Sequence, residues 1–186
     1  DHAHEAGDPH VWMDPNNVIV WVENIVAALR EADPANAGAY ETNGAEYIAR
    51  LKEIDEYIRE QVSRIPADRR VLVLDHESFS YFAEEYGFET IGTIVPGTSD
   101  RAEPSARDVA RLVDLVRREQ VPAIFVGRTA SQTLTRLAGT IADEVGRDVK
   151  IVPTLTGSLT EPGGEGDTYL DFLRYNVGQI LFGLGD

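Results

Sequence analysis

The chain of 186 residues holds four histidines and no cysteine. Any transition-metal site must therefore use His, Asp and Glu, and neither a disulfide nor a thiolate centre can form. Three positions stand out. His10 lies in "DPHVWMDP", residues 8–15, just ahead of an apolar-periodic run. His76 follows the aliphatic run "RVLVLD", and Asp167 follows the glycine-rich "EPGGEG". Two imidazoles and a carboxylate suit Zn²⁺, Mn²⁺ or a similar cation.

Each position also has a plainer reading. Asp167 reads as a helix N-cap, which on sequence alone is the better of its two readings. His76 reads as a hydrogen-bonded strand-end histidine, or as a general base oriented by Asp75 or Glu77. His10 reads as a surface-loop residue, and His2 and His4 as part of a flexible polar tail. The turn "GRTAS" at 127–131 offers a helix N-terminus to an anion, but it lacks the glycine spacing of a phosphate loop. Trp12 and Trp21 read as core or hinge packing.

The elements that must position these side chains follow from periodicity. Val18, Ile19, Val22, Ile25, Val26 and Leu29 form a helical stripe, with Asp14 as N-cap and Pro15 as first helical residue. Pro34 opens a second helix with the stripe Tyr40, Gly44, Tyr47, Leu51, Ile54 and Ile58. Nothing interrupts it before Ser63–Pro66, so its length approaches ~40 Å. Beyond Pro66 the pattern changes to strand and helix in alternation. "RVLVLD", "FETIGTIV", "PAIFVG" and "VKIVPT" read as buried strands. "ESFSYFAEEYG", "PSARDVARLVDLVRREQ", "SQTLTRLAGTIADEVG" and "DTYLDFLRYNVGQILFGL" read as helices. Gly87 and Gly146 close two of them, and Ser105 with Asp108 has capping-box spacing. Four such repeats predict an α/β fold: a four-stranded parallel sheet with helices on both faces. Ligands collect beyond the carboxyl ends of such strands. His76 belongs to that rim, Asp167 can reach it, and His10 approaches from outside. The expected division is a polar His-containing loop at 1–13, a helix pair at 14–66 and an α/β lobe at 67–186.

Composition narrows the partners. With 17 basic and 32 acidic residues the formal charge is −15. Nucleic acid is an unfavourable partner, because no basic stripe is present to neutralise phosphates. Lys52 and Lys150 are the only lysines. No apolar run approaches the ~18 residues needed to span a bilayer, and no signal peptide is recognisable. The opening "DHAHEAGD" reads like the middle of a polar loop, so a processed or truncated chain is expected.

Taken together, the motifs are far more specific. "DPHVWMDP" before a helix, the long helix, "LDHESFSYFAEEYG", "VPAIFV" and "GEGDTYLDFLRYN" resemble one family: the solute-binding receptors of zinc/manganese ABC transporters. The resemblance covers nearly all of this chain, but only the second half or so of the family's length. The family holds its metal between two lobes joined by a rigid helix, with four side chains. The resemblance implies that His10, from the D-P-H-x-W-x-D-P motif, is a metal ligand. It implies the same of His76, just past the first strand of the second lobe, and of Asp167, from the G-D-x-Y motif. The fourth ligand, a histidine of the first lobe, has no counterpart here. Water, His2, His4 or another molecule would fill that position. "DHAHEAGD" is similar to the end of the His-rich acidic loop that often precedes the motif in zinc receptors. Manganese receptors tend to carry Glu where this chain has His76, so zinc is implied, with manganese the alternative.

The function so implied is an extracytoplasmic receptor, periplasmic or anchored at the cell surface. It delivers its ion to the membrane permease of an ABC transporter and is not an enzyme. The alternative is a metal-dependent hydrolase on a doubly wound sheet, with Glu77 as its only obvious base. Without the first lobe, the long helix is expected to expose Tyr40, Tyr47 and Leu51, so that two copies pair as a homodimer.

Overall fold

The computed structural model describes residues 7–98 and 104–185. His2 and His4 lie outside the described residues.

Asp14 caps the first helix, its Oδ1 accepting from the Asn16 N–H at 2.8 Å, and Pro15 occupies the first helical position. Helix α1 then runs Pro15–Ala32. Pro34 opens a 3₁₀ turn, Pro34–Asn36, rather than the second helix itself. Helix α2 follows as Ala37–Val62, 26 residues, or about 39 Å of axis. The two helices approach closely at Gly44, where a β-carbon would lie 2.5 Å from Val26 Cγ2.

The rest of the chain alternates β1 Val71–Leu74, α3 Ser80–Tyr86, β2 Glu89–Thr93, α4 Ala106–Arg118, β3 Ala123–Gly127, α5 Gln132–Val145, β4 Lys150–Thr154 and α6 Tyr169–Leu184. The strands form one parallel sheet in the order β2-β1-β3-β4. Side chains alternate across it and feed two cores. Leu72, Leu74, Phe125 and Val152 face α2, α3 and α6, whereas Val73, Ile124 and Val126 face α4 and α5. The predicted α/β sheet with helices on both faces is therefore what the chain forms. Gly87 and Gly146 end their helices in the left-handed conformation, and the Ser105–Asp108 capping box is present.

Helix α2 is tied to the lobe by polar contacts as well as by Leu51, Ile54 and Ile58. The Tyr86 hydroxyl donates to Asp55 Oδ1 at 2.8 Å, and Arg59 reaches both Asp55 and Glu85. Glu85 also accepts from Asn16 Nδ2 at 3.3 Å. Burial and the Asp55 partnership push the Tyr86 phenol far above its ordinary range, so it stays a neutral donor.

The expected apolar strip on α2 is not found. Leu51 is wholly buried, Tyr47 packs against the core, and the Tyr40 hydroxyl donates to Asp33 Oδ2 at 2.8 Å. The large apolar residues left in solvent among the described residues include Val20, Trp21, Ile25 and Leu29 on α1, with Tyr57 on α2, Leu159 in the loop before α6 and Phe182 on α6. Trp21 is 43% exposed, so it is not core packing. The ground for pairing two copies through α2 goes with that strip.

Candidate metal centre

Strand order reverses between β1 and β3, and in open parallel sheets the crevice at such a point is where ligands bind. His76 stands two residues beyond the end of β1, at this crevice. The backbone leading to it still belongs to the sheet: the Asp75 N–H donates to the Phe125 carbonyl, and the Asp75 carbonyl accepts from Val95 N–H, both at 2.9 Å. The His76 carbonyl accepts from Ser78 N–H at 2.8 Å. His76 is 5% exposed, and its Nδ1 lies 2.9 Å from Asp75 Oδ1.

His10 reaches the same place from outside the sheet. A 3₁₀ turn, Val11–Met13, follows it and buries Met13 completely. Trp12 donates its indole N–H to the Thr156 carbonyl at 2.9 Å, and the Tyr169 hydroxyl donates to the Trp12 carbonyl at 2.8 Å. Burial holds the Tyr169 phenol far above its ordinary range, which keeps it a donor. These two bonds fasten a segment near residue 12 to segments about 150 positions away. The His10 and His76 ring centroids consequently stand 5.2 Å apart at 60°. Trp12 packs its edge against His10, with centroids 5.5 Å apart.

His10 repeats the arrangement at His76. Its backbone N–H and its Nδ1 both meet Asp8 Oδ1, at 2.9 and 2.7 Å. A carboxylate on Nδ1 stabilises the tautomer with its proton there and the lone pair on Nε2, the form in which imidazole binds metal through Nε2. Among the described residues, Asp8 Oδ2 is buried with no hydrogen-bond partner. A negative oxygen in that state is costly, and a nearby cation would offset the cost.

Asp167 behaves differently. The cap of α6 is Thr168, not Asp167. The Asp167 Oδ2 accepts from the Gly163 N–H at 2.8 Å, inside its own loop. Among the described residues, no three His, Cys, Asp or Glu side chains form a group that would hold a metal ion. The structure thus brings His10 and His76 together and leaves Asp167 engaged with its loop. In the "GRTAS" turn, Gly127 N–H goes to Asp75 Oδ2, Arg128 N–H to the Thr154 carbonyl and Ala130 N–H to the Gly127 carbonyl, and Ser131 caps α5. Asp8, Thr156 and Tyr169 were not anticipated as the residues that hold the His10 segment. The spacing of Asp8 two residues before His10 was the available sign.

The ZnuA family model, "Zinc-uptake complex component A periplasmic", matches residues 1–181. The chain belongs to the ZnuA family. The manganese-binding lipoprotein MntA of Halalkalibacterium halodurans is 33% identical over 177 residues, 95% of this chain and 57% of MntA. The high-affinity zinc uptake system protein ZnuA of Bacillus subtilis is 33% identical over 172 residues, 92% of this chain and 52% of that protein. Among solved structures, the periplasmic zinc binding protein TroA from Treponema pallidum superposes with a TM-score of 0.87 at 27% identity. The match covers all of this chain and 68% of TroA. The chain thus spans a little over half the length of the curated ZnuA-family relatives it matches.

Proposed function

We propose that this chain is the metal-holding part of an extracytoplasmic receptor, and that its cargo is a divalent transition-metal ion passed on to an ABC transporter permease. The observation that carries the reading is the pair of adjacent imidazoles, each with a carboxylate on Nδ1. That is how proteins prepare histidine to ligate a metal. His10 and His76 supply nitrogen donors, and Asp167 supplies a carboxylate once it leaves the Gly163 N–H. Named relatives that bind manganese or take up zinc support the class of cargo. Two imidazoles against one carboxylate favour zinc over manganese. No helix among the described residues is long and apolar enough to cross a membrane, which fits a receptor that meets its permease at the membrane surface.

In this reading the chain does no chemistry on its cargo. A hydrolase would need a base beside a metal-bound water. Glu77, the candidate for that role, points its exposed side chain to solvent.

The test is metal analysis and competitive titration of the purified chain with zinc and manganese, alongside His10→Ala, His76→Ala and Asp167→Ala. Zinc is expected to bind more tightly than manganese, and each histidine change to weaken it strongly. Acidification is expected to release the ion, because imidazole ligates only when neutral. Full zinc binding in both histidine variants would overturn the proposal. Turnover of phosphate or acyl esters would favour the hydrolase.

A further inference from the structure

The metal-binding reading above leaves the Asp75 carboxylate without a role, and its surroundings are unusual. Asp75 is 1% exposed. A carboxylate that far from water is expensive unless its oxygens are well supplied with donors. Its Oδ1 accepts from both the His76 backbone N–H and the His76 ring, each at 2.9 Å. Its Oδ2 accepts from the Gly127 N–H at 2.8 Å. Two of these three bonds hold His76. The third anchors the carboxylate to the end of β3, across the point where strand order reverses.

Gly127 is part of the same arrangement. A β-carbon there would lie 3.2 Å from Asp75 Oδ2 and 3.1 Å from Thr156 Oγ1. Both contacts are tighter than a methyl group tolerates without displacing a neighbour. The backbone N–H can approach the carboxylate because no side chain stands between them.

We propose that Asp75 is a positioning residue for the metal site, and that it raises the site's preference for zinc over manganese. The inference rests on the reading of His76 as a ligand. Anchored at β3, the carboxylate fixes the ring's rotation and holds the proton on Nδ1, which directs the Nε2 lone pair away from Asp75. A cation on Nε2 draws electron density from the ring and makes the Nδ1 proton more acidic. The bond to a buried carboxylate then strengthens, so the charge on Asp75 is used most fully when metal is bound. A more basic imidazole gains more with zinc, for which nitrogen donors suit, than with manganese, which favours oxygen.

The experiment compares the wild-type chain with Asp75→Asn, Gly127→Ala and His76→Ala. Each is titrated separately with zinc and with manganese, and the imidazole ¹⁵N resonances are recorded without metal. In the wild type, His76 is expected as the Nδ1-protonated tautomer. In Asp75→Asn the Nε2-protonated form should appear, and zinc affinity should fall by about 10–100-fold. Manganese affinity should fall by a smaller factor, so the selectivity narrows. Gly127→Ala keeps the carboxylate but crowds it, and should shift the same readouts in the same direction by less. It carries the test if Asp75→Asn does not fold. Equal losses for both metals with an unchanged His76 tautomer would overturn the inference, as would a changed tautomer with unchanged affinities. Undiminished zinc binding by His76→Ala would instead overturn the reading of the site itself.

Discussion

His76 and Asp167 both follow strands of the same sheet, yet they are held in opposite ways. His76 comes two residues after β1, buried, with its carbonyl, backbone N–H and ring nitrogen all engaged. Asp167 comes thirteen residues after the end of β4, in a loop with four glycines at 157, 163, 164 and 166. Its Oδ2 accepts from that loop's own backbone. In the proposed reading, the fold therefore fixes the imidazole half of the site through several bonds and holds the carboxylate half only within its own loop. His10 sits with the His76 half, although it enters from outside the lobe, because Trp12 and Tyr169 latch its segment down. On the proposed function, such a division would let the imidazoles define the ion's position while the carboxylate joins on binding and leaves on release.

The difference can be sharpened by substitutions whose expected effects run from global to local. Phe125→Ala is the most severe. Phe125 is buried in β3, against the site that Gly183 leaves open, and its carbonyl holds the Asp75 N–H. Urea unfolding should show a loss of roughly 3–5 kcal/mol, and the His76 side of the site should loosen with it.

Trp12→Phe comes next. It keeps an aromatic ring but removes the donor to the Thr156 carbonyl. A buried carbonyl left unpaired costs about 1–3 kcal/mol. The loss should appear in thermal unfolding together with weaker metal binding, since His10 would no longer be held beside His76. If stability falls and metal binding does not, the latch is structural only.

Gly163→Ala acts on the Asp167 side. Gly163 has φ +82° with open space around a β-carbon, so the penalty is backbone strain alone, about 1 kcal/mol. Because that strain is confined to the loop holding Asp167, it should show as faster amide exchange there, with little change in the exchange of β1 and β3. Equal loosening of both would mean that the two halves are coupled.

The smallest effect concerns Asp14. Burial raises its carboxyl above the ordinary value of 3.8, with Glu85 and Asp55 adding to the rise against the lowering bonds from Asn16. A group whose folded pKa is raised favours the folded state most at low pH, and that contribution is lost as pH climbs through the folded value. Asparagine caps a helix equally well and carries no charge. Asp14→Asn should therefore gain stability relative to the wild type as pH rises from about 4 towards neutrality. Asp108, exposed at the start of α4, has its carboxyl lowered by Ser105 and should show the opposite slope, losing its contribution on acidification. Denaturant midpoints measured across that range check both signs.

Much of this was legible in the chain, for identifiable reasons. The strands and helices of the lobe are strongly periodic and are bounded by Ser, Pro and Gly residues whose backbone preferences admit few alternatives. That also made His76 readable, because it stands so close to a strand end. His10 was recognisable from its motif, but what brings it to His76 was not. The Trp12–Thr156 and Tyr169–Trp12 bonds join residues separated by 144 and 157 positions, and no local pattern announces such a pairing. The state of Asp167 was hidden for a related reason: in a glycine-rich loop many backbone paths are open, and the N–H that captures a carboxylate is not marked by residue type. The apolar face of α1 was misjudged in the other direction. Val18, Val22 and Val26 pack inward as periodicity requires, but Trp21, Ile25 and Leu29 extend the apolar surface beyond what α2 can cover.

His10 and His76 are proposed here as joint ligands of one ion. X-ray absorption on the zinc-loaded chain tests it most directly. The spectrum should contain two imidazole nitrogens at ~2.0–2.1 Å, and His10→Ala and His76→Ala should each retain only one. A nitrogen shell that neither substitution alters, or a shell of oxygen alone, would contradict the account.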